Sequence, residues 1–81
     1  MTQTSELEKF KAPLGGQDIE LQQVDHAPEA GGMPLLRVRI REGRRFTIID
    51  IDPLTAKNWG GAMLRWARAQ EAAAQEPDAH D

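Results

Sequence analysis

Residues 35–53 read LLRVRIREGRRFTIIDIDP and contain two strand patterns, a turn and a helix start. In residues 35–40, apolar and basic side chains alternate, as they do in a half-buried strand. Residues 45–51 are the run of the chain richest in β-branched and aromatic side chains. Gly43 lies between the two runs and is typical of a tight turn that needs a positive φ. The stretch therefore predicts an antiparallel hairpin.

The turn length sets which side chains share a face of this hairpin. A two-residue turn at Glu42-Gly43 would mix apolar and charged residues on both faces, whereas a three-residue loop over 41–43 leaves only the reverse face mixed. The loop over 41–43 predicts that Val38 lies opposite Phe46, which gives one apolar face. The reverse face then carries Leu35, Arg37, Arg39, Arg45, Thr47, Ile49 and Ile51.

A helix is predicted to begin immediately after the hairpin. Asp52 followed by Pro53 is typical of an N-cap with proline in the first helical position. Helical periodicity then predicts that one stripe covers the core. Gly60-Gly61 lowers the helical propensity, so a kink or a break at that point is the alternative to one continuous helix. The predicted stripe consists of Ala56, Trp59, Met63, Trp66, Gln70 and Ala74.

Outside this region, apolar and polar side chains alternate over residues 19–24, which predicts another half-buried strand. The predicted fold class is therefore α+β: a three-stranded antiparallel sheet, in β-β-β-α order, with one C-terminal helix packed on one face. We expect a flexible N-terminal arm over 1–18, a single domain over 19–75 and a disordered tail over 76–81.

Composition limits what such a chain can do. Its 81 residues include no cysteine, which excludes disulfides, iron–sulfur clusters and cysteine-based zinc sites. A domain of this size has a thin core, so we expect its stability to depend on good packing or on self-association. The first residues lack the basic and apolar regions of a secretory signal, and we expect a cytoplasmic protein with no membrane contact.

The net charge of −3 hides a basic middle. Residues 37–45 contain five arginines and one glutamate, a local charge of +4. We predict a non-enzymatic protein-interaction module that binds a protein partner or a second copy through the reverse face of the 35–51 hairpin. The alternative is nucleic-acid or other anion binding through the arginines. The predicted contact residues are Leu35, Arg37, Arg39, Arg45, Ile49 and Ile51.

Two ordinary interpretations compete with these functions. The arginines can form a solvated face that pairs with acidic residues of the same chain. The apolar part of the reverse face can be covered by the N-terminal arm through Leu7, Phe10 and Leu14.

Catalytic and metal-binding patterns are weak. Asp50 and Asp52 could hold a divalent cation, but a helix cap at Asp52 and an arginine pair at Asp50 are the favoured interpretation. Asp25-His26 could act as an acid–base pair, although histidines in polar loops are commonly unreactive. We therefore predict no catalytic residues, no metal and no cofactor.

Overall fold

The computed structural model describes residues 3–25 and 32–75, which form four strands and one helix. The strands are β1 (Gln3–Lys11), β2 (Asp18–Asp25), β3 (Leu35–Glu42) and β4 (Arg45–Ile51), and the helix is α1 (Pro53–Gln75). Each strand pairs antiparallel with the next, in the order β1-β2-β3-β4. The α+β class with one C-terminal helix is confirmed.

The sheet has four strands, so the predicted count of three is wrong. The additional strand, β1, lies in the segment 1–18 that the sequence indicated as an arm. Its pairing with β2 shifts register between Glu6 and Glu8, which marks a β-bulge at Leu7. A bulge breaks the alternation of period two by one residue, and this explains why the pattern gives no clear strand signal here.

The hairpin between β3 and β4 has a different turn from the predicted loop over 41–43. Glu42 pairs directly with Arg45, which leaves Gly43-Arg44 as a two-residue turn. Gly43 has φ of +61°, and no residue other than glycine has a positive φ in the described ranges. A positive φ at the first turn residue alone is the geometry of a type II′ turn.

Because of this turn, each side chain of β4 lies on the opposite face of the sheet from the one predicted. Val38 pairs with Ile49 rather than with Phe46. Paired residues of an antiparallel sheet point to the same side. The helix side of the hairpin therefore carries Leu36, Val38 and Ile40 from β3 together with Thr47, Ile49 and Ile51 from β4.

Helix α1 begins at the predicted cap. The backbone N–H groups of Leu54 and Thr55 each donate to Oδ2 of Asp52 at 3.1 Å. The Thr55 hydroxyl donates to Oδ1 of the same carboxylate. The helix then runs through Gly60-Gly61 without a break. The helix is therefore continuous, and the alternative of two helices separated at Gly60-Gly61 is wrong.

Burial is sparse for a sheet with a helix above it. Val24 and Val38 are the buried hydrophobic residues in the described part of the chain, and α1 contains none. The helix contacts the sheet mainly at β3. Trp66 is 68% exposed, so the prediction that the tryptophan stripe closes the core is wrong. One helix leaves much of the apolar face of the sheet uncovered.

Candidate interaction surfaces

The six predicted contact residues do not share a face. Register places Leu35, Arg37 and Arg39 on the side away from the helix. It places Arg45, Ile49 and Ile51 on the helix side, because the two-residue turn moves β4 by an odd number of residues relative to the prediction. The reverse face, as the sequence predicted it, is therefore wrong as one surface.

The side away from the helix is a ladder of cross-strand ion pairs. Arg37 donates two hydrogen bonds to Asp50, at 2.8 and 3.0 Å, which is the bidentate geometry that guanidinium and carboxylate favour. These bonds raise the pKa of Arg37 above its usual value. On the other side of β3, Arg39 donates to Glu20 of β2 at 3.0 Å. We call this side the charged face.

The ladder continues at the turn end of the sheet. Asp18 lies between Arg41 at 2.7 Å and Lys11 at 3.0 Å. Two hydrogen bonds lower the pKa of the Asp18 carboxyl: the one from Arg41 has the larger effect and the one from Lys11 the smaller. Arg39 also stacks over Phe46, 5.4 Å from the ring centre. Arg37, Arg39 and Arg41 thus have acidic partners within the chain, as the interpretation of a paired, solvated face predicts.

The helix side of the sheet carries an apolar groove of about 300 Å³ between the strands and α1. Its walls come from all four strands and from the first half of the helix. The lining residues are Phe10, Ile19, Leu21, Leu36, Val38, Ile40, Ile51, Ala56, Trp59, Gly60 and Met63. We call this surface the apolar groove. No charged side chain is among its lining residues.

The groove is open because the sheet is wider than the helix. Four strands span about 19 Å at the usual strand spacing, whereas a helix with its side chains is roughly 10 Å across. Since α1 contacts the sheet mainly at β3, the edge strand β1 stays exposed, and Phe10 on that strand is 49% exposed. Phe10 and Leu7, which the sequence placed in a covering arm, instead lie on strand β1 as part of this face.

The middle of the helix continues the apolar surface away from the strands. A depression formed by Trp59, Ala62, Met63, Trp66 and Ala67 is lined by helix residues alone. Leu14, the third residue of the predicted cover, is 99% exposed in the turn between β1 and β2. The groove therefore lacks a cover from this turn.

The candidate catalytic and metal groups are engaged elsewhere or lie outside the described residues. Asp50 is bonded to Arg37, and Asp52 caps the helix. His26 and His80 lie outside the described residues, as does the predicted tail over 76–81. Across residues 3–25 and 32–75, no three acidic or histidine side chains are grouped for metal binding. Within the same ranges, no helix is both long and apolar enough to span a membrane.

The sequence did not predict the contribution of β1 to the groove. The apolar residues Leu7 and Phe10 were visible, but the bulge between them disguised the strand. Gly60 did give a signal, because a glycine at the edge of an apolar helical stripe permits close approach of another element. In the structure it lines the groove.

No curated protein and no solved structure matches this chain. A family model does match residues 1–69, a range that contains all four strands and most of α1. The chain belongs to that family, which is described as a family of unknown function, DUF6967.

Proposed function

We propose that this protein is a small, non-enzymatic protein-interaction module that binds an amphipathic helix of a partner protein in the apolar groove. The observation that supports it most directly is the apolar groove itself, in which Phe10, Trp59 and Met63 line the walls and remain 49%, 41% and 53% exposed. Monomeric proteins rarely leave contiguous apolar surface of this kind exposed unless it binds something.

The dimensions of the opening favour a helix as the occupant. The sheet is about 9 Å wider than α1 in total, and a further helix is roughly 10 Å across. A helix placed there would lie beside α1 and complete a two-helix layer over the sheet. An amphipathic helix would bury its apolar stripe and keep its polar side in water, which is the common helix-in-groove mode of recognition.

Gly60 provides a second line of support. A Cβ at this position would meet nothing within 4 Å, so packing within the chain does not require glycine there. Glycine inside a helix costs roughly 1 kcal/mol relative to alanine. A residue that lines the groove and has no side chain lets the backbone of a bound helix approach α1 closely.

The charged face is less suited to contact a partner. Its arginines already have carboxylate partners, and a new ligand would have to replace those bonds. Exposed pairs of this kind contribute little and serve mainly to neutralise the face. We therefore place the contact surface on the helix side rather than on the arginines of the hairpin.

Tryptophan fluorescence offers a direct test, because Trp59 lines the groove and the chain has only two tryptophans. The probe is a tryptophan-free amphipathic peptide with a leucine stripe and balanced Lys–Glu pairs. Its control is a scrambled peptide of the same composition without a stripe. We expect a blue shift with the first peptide only, since a bound helix removes water from the indole.

A matched pair of variants locates the binding surface. Met63 lines the groove and is 53% exposed, while its neighbour Leu64 is 50% exposed and is not among the lining residues. Met63→Glu should weaken peptide binding at least about tenfold, because it places a charge in an apolar contact. Leu64→Glu should leave it unchanged. Equal effects of the two variants, or binding of the scrambled peptide, would rule out the groove as the site.

A further inference from the structure

The outer edge of β4 is a second surface, distinct from the apolar groove. In the described sheet β4 has a neighbour on one side only, and its seven residues include neither proline nor glycine. Phe46 and Ile48 are 55% and 54% exposed on the charged face, and Ile49 is exposed on the helix side. An apolar edge strand of this length is a template for pairing with another strand.

The opposite edge of the sheet is protected. Strand β1 has a bulge at Leu7, which interrupts regular pairing along its length. It also carries four charged residues among its nine, Glu6, Glu8, Lys9 and Lys11. Bulges and charges are the devices by which natural proteins block edge-to-edge association. The contrast between the two edges therefore singles out β4.

The turn determines which backbone groups of β4 face outward. Glu42 and Arg45 flank a two-residue turn, so they form a hydrogen-bonded pair, and every second residue from Arg45 bonds back to β3. The residues between them, Phe46, Ile48 and Asp50, direct their backbone N–H and C=O groups to the free side. Ile48 lies at the middle of this set.

We propose that β4 pairs antiparallel with β4 of a second copy, centred on Ile48, so that two four-stranded sheets become one eight-stranded sheet. In this register each outward-facing residue meets another: Ile48 meets Ile48 of the second copy, and Phe46 meets Asp50. No other register pairs all three outward residues.

Charge order indicates a second copy rather than an unrelated strand. Residues 44–52 read RRFTIIDID, which is basic at the start, apolar in the middle and acidic at the end. Antiparallel self-pairing places the basic end of one copy beside the acidic end of the other, so that long-range attraction adds to the bonds that Asp50 and Asp52 already make within their own chain. Parallel pairing would place arginine beside arginine, which is unfavourable. The strand is thus complementary to itself, as a two-fold interface requires.

This pairing sets the arrangement of the grooves. Because Ile48 pairs with its own counterpart, the two-fold axis is perpendicular to the sheet and both helices lie on the same side. The pair therefore presents two apolar grooves on one side and one continuous charged face on the other. The dimer does not depend on the proposed helix binding, since it uses a different surface.

Sedimentation velocity over a concentration series tests the dimer with the full chain. Ile48→Pro removes an outward N–H while leaving the bonds to β3 intact, and proline is tolerated at such edge positions. We expect Ile48→Pro to raise the dissociation constant of the dimer at least about tenfold, because it removes a hydrogen bond at the centre of the interface. Ile48→Val should dimerise as the natural chain does. A natural chain that remains monomeric, or an Ile48→Pro variant that still dimerises, overturns the proposal.

Two controls keep the result interpretable. Lys9 is the equivalent outward residue on β1, because the Ala12 N–H bonds to the Gln17 carbonyl and pairing alternates from there. Lys9→Pro should leave the dimer intact. Met63→Glu should also leave it intact, so that failure of helix binding and failure of dimerisation are separate results.

A cross-link covers the case in which Ile48→Pro does not fold. The chain has no cysteine, so Ile48→Cys introduces a single thiol. Directly paired residues at the two-fold axis lie about 5.5 Å apart at Cα, within the range of a disulfide. Mild oxidation should give a rapid covalent dimer, whereas Leu14→Cys in the exposed turn should react slowly. Equal rates for the two variants contradict the pairing.

Discussion

Asp52 is the residue at which the sheet ends and the helix starts, and its carboxylate is the group on which that junction depends. Hydrogen bonds from Thr55 lower the pKa of Asp52 below the usual 3.8. The bond from the Thr55 hydroxyl has the largest effect, and the bond from the Thr55 backbone N–H the next largest. A carboxyl with a lowered folded-state pKa stabilises the fold above its unfolded-state pKa, and this contribution disappears as pH falls through the folded value.

Acid should therefore loosen the helix start. We expect the urea midpoint of the natural chain, followed by circular dichroism, to fall as pH drops below the unfolded pKa of 3.8. Asp52→Asn keeps an oxygen acceptor for the cap but cannot titrate, so its midpoint should fall less over the same range. Asp18, whose pKa is also lowered, accounts for part of the remaining dependence. Identical pH profiles for the two chains would show that the cap does not titrate as described.

At the level of the elements, the sequence predicted the hairpin, the helix start and the strand within β2. What it could not determine was the position of Gly43 inside its turn, because a shift of the turn by one residue exchanges the two faces of β4. Both turns place a glycine at a positive φ, so residue preference alone does not choose between them. The bulge at Leu7 concealed β1 for a related reason, since an extra residue disrupts the alternation that marks a strand.

The two glycines of α1 give a test at the same scale. Alanine at Gly60 meets no atom within 4 Å, and alanine at Gly61 meets only the end of the flexible Arg65 side chain at 3.4 Å. Each substitution should therefore stabilise the isolated protein by roughly 1 kcal/mol, the cost of glycine inside a helix, measured by urea unfolding.

Only one of them should affect the binding of a helix. Gly60 lines the apolar groove, so Gly60→Ala should weaken peptide binding, whereas Gly61→Ala should not. A loss of stability in Gly60→Ala alone would mean that the groove is already filled in the isolated protein, contrary to the proposal.

For the molecule as a whole, length and the absence of cysteine predicted a thin core, and the sparse burial agrees with that expectation. The sequence also predicted that Trp59 and Trp66 close this core. Periodicity identifies an apolar stripe, but it does not say whether the surface beneath the stripe belongs to the same chain. The arginines were equally ambiguous, because their acidic partners Glu20 and Asp18 lie on another strand.

The pairing of the arginines leads to a prediction about nucleic acids. We expect a random-sequence DNA or RNA duplex to bind only weakly, as it does to other acidic proteins. Arg37, Arg39 and Arg41, three of the five arginines in residues 37–45, are neutralised by acidic residues of the sheet. A fluorescence anisotropy titration at low and at physiological salt measures this. Tight binding with a steep salt dependence would favour the alternative function through Arg37, Arg39 and Arg45.

Residue-resolved NMR shows whether a helix binds in the apolar groove. Isotope-labelled protein is titrated with the leucine-stripe peptide, and amide shifts are mapped onto the sheet. We predict that the largest shifts fall on Phe10, Leu21, Gly60 and Met63, which line the apolar groove. Shifts confined to the charged face around Arg37 and Arg39, or no shifts at saturating peptide, would contradict it.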